Sequence, residues 1–251
     1  MLKFFVFSDC HGFADELKKA LNEAGFDPNN ENHWIVSCGD HMDRGPDPQG
    51  VIDYLMSLER AIIIKGNHES LLMDCIERGF FYEYDAQNGT AKTIMDLAPH
   101  AKTFGEACAV AYEKVKPFVN KMVDYLELKN YIFVHSWIPF KNLDGLPMYF
   151  TRNRKFAYDP DWRHAHASAW EEARWNNPFQ LAKIGLLPEK TLVFGHWGTE
   201  LKYAEDEKRK AYKGNAKCEP YFGEGYIGLD CTTAFSGKVG IVVIEDEFLE
   251  E

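Results

Sequence analysis

Positive charge is in short supply in this sequence. Lysine and arginine number 28 against 39 aspartates and glutamates, a formal net charge of −11. No basic surplus exists to displace counterions, which excludes a stable grip on nucleic-acid backbone. No apolar run approaches the roughly 18 residues that a membrane-spanning helix needs. The opening Met1-Leu2-Lys3-Phe4-Phe5-Val6-Phe7 is cut by Ser8-Asp9, before it can become a signal-peptide core of roughly 7–15 apolar residues. The six cysteines (Cys10, Cys38, Cys75, Cys108, Cys218, Cys231) contain no C-x-x-C pair and are too sparse for a disulfide scaffold. These absences predict a cytoplasmic protein with free thiols and no membrane contact. There is also no internal repeat and no low-complexity tract. What remains is 45% apolar and 27% charged residues over a chain of 251. That composition rules out a disordered chain and suffices for one large core, so residues 1–251 are expected to form a single domain.

The first seventy residues alternate strand and helix patterns. Leu2–Phe7 is an apolar run closed by a polar turn, and Leu17, Ala20, Leu21 and Ala24 follow at helical spacing until Gly25. Trp34-Ile35-Val36 reads as a second strand, Val51, Leu55 and Leu58 as a second helix, and Ala61–Ile64 as a third strand. Such alternation predicts a parallel sheet with ligands beyond its carboxyl edge. From about 69 to 124 the pattern turns helical, an insertion over the sheet, with Pro117 expected to break or restart its second stretch. Tyr125–Leu128 and Tyr131–Val134 read as a hairpin, and Leu192–Phe194, Tyr226–Leu229 and Val239–Ile244 as further strands. Asn142–Asn177 resists assignment, and Lys202–Lys213 reads as a charged loop or exposed helix.

Each of the first three strands ends in a polar cluster. These are Asp9-Cys10-His11-Gly12, Gly39-Asp40-His41-Met42-Asp43-Arg44-Gly45 and Gly66-Asn67-His68-Glu69. Two more histidines follow strands, His135 and His196. Mixed carboxylate and imidazole donors suit manganese, iron or zinc, whereas an all-oxygen cage would suit calcium or magnesium. A pair of cations about 3.5–4 Å apart needs a bridging carboxylate. Asp40, on the middle cluster, is the natural bridge. Asp9 and His11 would complete one cation's shell, and Asn67, His135 and His196 the other's. His33, His100, His164 and His166 read as structural residues, and His41 as a variable position without a metal role.

The three clusters in this order and spacing, with Phe133-Val134-His135, Phe194-Gly195-His196 and the closing Ile227-Gly228-Leu229-Asp230, resemble the phosphoprotein-phosphatase branch of the calcineurin-like metallophosphoesterases. The resemblance runs from residue 4 to about 244. It implies an α/β fold: a β-sandwich of two mixed sheets flanked by helices, with the dinuclear site at one edge. It also implies two divalent cations, manganese first with iron or zinc as options, and hydrolysis of phosphate esters by a water held between them.

Within that chemistry His68 is suited to be the general acid, oriented by Asp43. Arg44 offers a planar fork for phosphoryl oxygens. Family members usually supply a second arginine between the later histidines. Arg152, Arg154, Arg163 and Arg174 are available, and Arg174 is chosen for its aromatic neighbourhood. Cys10 is expected to be an inert neighbour rather than a nucleophile. The chain departs from the family where Ser8 and Met42 replace common glycine and valine, and where Trp137 and Trp197 stand near His135 and His196. Each of these tryptophans is either core packing or a stacking surface for an aromatic ring. The expected activity is a phosphomonoesterase of the serine/threonine-phosphatase kind acting on phosphoproteins. The alternative is a hydrolase of dinucleoside polyphosphates (Ap4A type), and a non-catalytic binding module is disfavoured because all six donors are kept. Oligomeric state is not legible.

Overall fold

The structure is a computed structural model that describes residues 1–143, 156–208 and 217–250. Arg152 and Arg154 lie outside the described residues, as do parts of the stretches 142–177 and 202–213. The strands are β1 (Leu2–Phe7), β2 (His33–Cys38), β3 (Ala61–Ile64), β4 (Leu126–Glu127), β5 (Tyr131–Phe133), β6 (Phe140–Asn142), β7 (Phe156–Tyr158), β8 (Thr191–Phe194), β9 (Tyr221–Gly223), β10 (Tyr226–Gly228) and β11 (Val242–Asp246). The helices are α1 (Ala14–Glu23), α2 (Pro48–Ser57), α3 (Asn67–Arg78), α4 (Glu83–Gln87), α5 (Thr90–Leu97), α6 (Phe104–Val119), α7 (Ala167–Ala173), α8 (Pro178–Lys183), α9 (Thr199–Asp206) and α10 (Thr233–Ser236).

Two mixed sheets face each other. The first has the order β11-β1-β2-β3, with β1, β2 and β3 parallel and β11 antiparallel at its edge. The second has the order β4-β5-β8-β10-β9, with a parallel centre and antiparallel flanks. Strand alternation assigns the faces. Phe4 and Val6 of β1 point inward to meet Phe133, Val193 and Ile227 of the other sheet. Phe5 and Phe7 point outward, against Leu17, Leu21, Val51, Leu72 and Ile94 of the helical layer. Behind the second sheet, Leu192 and Phe194 pack on Trp137, Trp162, Trp170 and Phe179. Four layers result, with helices outside and sheets inside.

Pro117 does not break its helix; it lies inside α6, near the end. A proline there forfeits one backbone bond but leaves only two residues beyond it, and Phe118 is buried in the core, which offsets that loss. The last strand is Val242–Asp246 rather than Val239–Ile244, since its pairing with β1 begins at Val6↔Val242. β9, α7 and α8 have no counterpart in the sequence pattern. They are short, and aromatic residues on several faces obscure any period.

Candidate metal centre

The carboxyl ends of β1, β2 and β3 lie side by side, with β2 between its neighbours. Asp9, Asp40 and Asn67 therefore emerge at one edge. β5 and β8, adjacent in the facing sheet, deliver His135 and His196 to that edge. Two donor groups form there, His11 with Asp40 and His68, and Asp40 with His135 and His196. Within each group the donor atoms lie within 4.8 Å of one another. Asp40 belongs to both.

Hydrogen-bond partners identify which ring atoms are free. His135 Nδ1 donates to the Cys38 carbonyl at 2.8 Å, and burial pushes the imidazole pKa down, so Nε2 carries a bare lone pair. That lone pair faces Asn67 Oδ1 at 2.8 Å, His196 Nδ1 at 3.2 Å and Asp40 Oδ1 at 3.4 Å. His11 Nδ1 donates to the Met42 carbonyl at 3.1 Å, leaving the Nε2 lone pair as an acceptor, 3.8 Å from Asp40 Oδ2. Burial pushes His11 to about 3, and burial with the nearby His135 pushes His196 to about 3. These rings are neutral donors.

Asp40 is charged. Burial works against its ionisation, but in acid the protonated imidazoles of His135, His68, His11 and His196 outweigh it and hold the carboxyl below its usual range. Asp9 shows the opposite. Burial raises it, and the carboxylates of Asp230 and Asp40 raise it further. Converging lone pairs around one carboxylate, beside a second carboxylate lacking countercharge, are what a bound divalent cation would satisfy. The residues fit the group.

His68 differs from the other rings. Its Nδ1 donates to Asp43 Oδ2 at 2.7 Å, and Thr90 Oγ1 donates to the same oxygen at 2.7 Å. Burial lowers the pKa of His68, but Asp40 and Asp43 outweigh it and the net shift is upward. Arg44 gives Nη1 to His11 Nε2 and Nη2 to His68 Nε2, both at 2.8 Å. The structure groups His68, rather than Asp9, with His11 and Asp40, while Asp9 Oδ2 accepts the His196 amide at 3.0 Å. Cys10 is buried, its thiol pushed up mainly by burial, as expected of an inert neighbour.

Arg174, the expected second phosphate clamp, is tied to other partners in the structure. Its Nε donates to the Lys65 carbonyl at 3.2 Å, Nη1 to Glu171 at 2.7 Å and Nη2 to Asp124. None of these hydrogen bonds goes to a donor of the centre. A buried guanidinium needs partners nearby, and these carboxylates supply them. Arg163 is likewise held by Glu127. Trp137, 1% exposed, is core packing.

Three contributors escape sequence reasoning. Glu69 accepts the amides of Gly66 (2.7 Å), Asp40 (3.1 Å) and His41 (2.9 Å) together with His41 Nδ1 (3.2 Å). His41 Nε2 in turn meets Ser37 Oγ at 2.8 Å. Thr90 opens α5 in the helical layer and carries no motif. Glu69 and His41 lie inside the motifs, but nothing in those motifs signals their roles. Close approach also explains Gly39, where a Cβ would lie 2.4 Å from His135 Nδ1.

The sequence profile described as calcineurin-like phosphoesterase matches residues 2–200. The chain belongs to that family. This phosphoesterase is therefore a phosphoric ester hydrolase, with a His/Asp cluster that could hold a metal ion. Its sequence is 25% identical over 228 residues to the symmetrical bis(5'-nucleosyl)-tetraphosphatase of Hamiltonella defensa, covering 77% of this chain and 82% of that protein. A 70-residue stretch is 39% identical to serine/threonine-protein phosphatase 1 of Salmonella typhimurium, covering 28% of this chain and 31% of that one. The crystal structure of a candidate diadenosine tetraphosphatase matches with a TM-score of 0.55 at 16% identity, over 99% of this chain and 95% of that chain. Similarity that low shows the fold alone. No helix among the described residues is long and apolar enough to cross a membrane.

Proposed function

We propose that the centre holds two divalent cations, manganese for preference, that Asp40 bridges them, and that the substrate is a dinucleoside polyphosphate. Asp9 and His11 complete one shell; Asn67, His135 and His196 complete the other. Bound there, the cations would generate a nucleophile from water near neutral pH and polarise phosphoryl oxygens. The chain's own groups do the rest. His68 gives a proton to the departing oxygen from Nε2, while Asp43, braced by Thr90, keeps the proton on Nδ1 and supports the positive ring. For His11 to offer its lone pair to a cation and for His68 to carry a proton on Nε2, Arg44 must release both rings, which frees the guanidinium fork for phosphoryl oxygens.

The observation that carries the substrate is the reach of the alignments. Stretches of about 70 residues are 39% identical both to serine/threonine-protein phosphatase 1 and to the tetraphosphatase of Aeromonas salmonicida, so they do not discriminate. The tetraphosphatase match to Hamiltonella defensa extends over 77% of the chain. The second reading is a phosphoserine/phosphothreonine phosphatase. It is favoured by the His68–Asp43 pair, whose proton is most needed by an alkoxide leaving group. The test is a panel on manganese-loaded protein with diadenosine tetraphosphate, a phosphoserine peptide, a phosphotyrosine peptide and an aryl phosphate. The highest kcat/KM is expected for the dinucleotide. A phosphoserine peptide cleaved faster than the dinucleotide would replace the first reading with the second.

A further inference from the structure

Two large apolar side chains lean on the metal centre without being buried by the fold. Trp175 is 47% exposed and Trp197 is 37% exposed. Both indoles stand near-perpendicular to the ring of His196, at centroid distances of 6.3 Å and 6.4 Å. Neither indole N–H has a hydrogen-bond partner among the described residues. Isolated surface tryptophans are unremarkable, but two beside the same histidine put exposed aromatic surface next to the centre.

That surface is held in place. Arg174, the residue before Trp175, is tied through Nε to the Lys65 carbonyl, two residues before Asn67. Asn176, the residue after, accepts a hydrogen bond on its carbonyl from Ser136 Oγ at 2.8 Å, next to His135. Trp197 follows His196 directly, and its amide donates to the Gly195 carbonyl at 2.8 Å. The chain thus anchors both indoles to the segments that carry the metal donors. A rigid aromatic wall loses little conformational entropy on binding, and a planar π-system is the partner whose stacking it can use.

We propose that Trp175 and Trp197 wall a subsite beside His196 that takes the nucleobase of a nucleotide substrate. The proposal rests on the nucleotide reading above and assigns residues to it. Stacking is sequence-tolerant, because every base has a π-face, so adenine and guanine nucleotides should both be accepted.

The test compares Trp175→Ala, Trp197→Ala and the matching phenylalanine variants in manganese-loaded protein. Diadenosine tetraphosphate is set against glycerol phosphate, which has no aromatic group. Each alanine variant is expected to lose roughly ten- to hundredfold in kcat/KM on the dinucleotide, chiefly through KM. The loss on glycerol phosphate should be clearly smaller, and phenylalanine should restore most of the dinucleotide activity. Independently of turnover, adenosine monophosphate should quench tryptophan fluorescence saturably in the wild type and more weakly in each alanine variant. Equal losses on both substrates, or unimpaired cleavage of the dinucleotide by both alanine variants, would overturn the subsite while leaving the nucleotide reading intact. If the wild type leaves the dinucleotide uncut but adenosine monophosphate still quenches through these two residues, the nucleotide reading falls and the base-binding subsite stands.

Discussion

Among the described residues, non-glycine residues with left-handed backbone are Asp9, His11, Asp40, Asp43, Arg44, His196, Lys208 and Thr232. The first six belong to the centre. Each such conformation costs on the order of 1–3 kcal/mol and persists only where its surroundings over-determine it. Glu69 is one such determinant, since its carboxylate gathers three amides and the His41 ring at the base of Asp40. Burial opposes its charge, but His41 outweighs burial and brings it from 4.5 to about 2. Glu69→Gln turns two acceptor contacts into donor–donor clashes, so a loss of about 1–3 kcal/mol in urea unfolding is expected. A depressed folded-state pKa adds stability that is full above the unfolded value of 4.5 and lost as pH falls toward 2. The gap between wild type and variant should therefore be widest at neutral pH and close in acid. A gap that is absent at pH 7 refutes this role.

The proton donor separates from the metal donors by a different readout. His68→Asn should keep both ions and lose ~10²–10⁴-fold in kcat/KM on an alkyl phosphate, but clearly less on an aryl phosphate, whose phenolate leaves unaided. Asp43→Asn should show the same selectivity more weakly. Loss of an ion from the His68 variant would make His68 a metal donor, the role its place in the first donor group suggests. These residues are legible in sequence because each follows an apolar strand within a short motif. Thr90 is not legible, since it reaches Asp43 only through the packing of α5.

At the scale of elements, the link between α7 and β3 is what sequence reasoning did not foresee. An arginine in an aromatic segment reads equally as an anion clamp or a structural tie, and only tertiary partners distinguish the two. Here Arg174 joins the α7 end to the Lys65 carbonyl, Glu171 and Asp124. Arg174→Ala should cost about 1–3 kcal/mol, because it strands hydrogen-bond acceptors while both carboxylates stay partly solvated. For a domain of this length that lowers Tm by roughly 2–12 °C. A differential scan checks it; an unchanged Tm with weakened phosphate affinity would restore the clamp. The parallel strands β1 to β3 were legible from alternating apolar runs, whereas β6, β7 and β9 are three residues each, too short for a period to emerge.

For the whole molecule, the centre is the seam of the sandwich. Its donors come from both sheets, so cations bound there would cross-link the two halves in the folded state alone. Ligand at 100 times its Kd adds about 2.7 kcal/mol, and chelation should accordingly abolish activity and lower Tm by roughly 5–10 °C. An equal Tm with and without chelator would uncouple the ions from the fold. The most direct test of the central claim is metal content per chain, measured by mass spectrometry on active, manganese-loaded protein and on Asp40→Asn. Two ions per wild-type chain are predicted, with both weakened in Asp40→Asn because that carboxylate alone faces both donor groups. One ion or none in fully active wild type, or an Asp40→Asn chain that keeps both ions and full activity, would contradict the shared-carboxylate account.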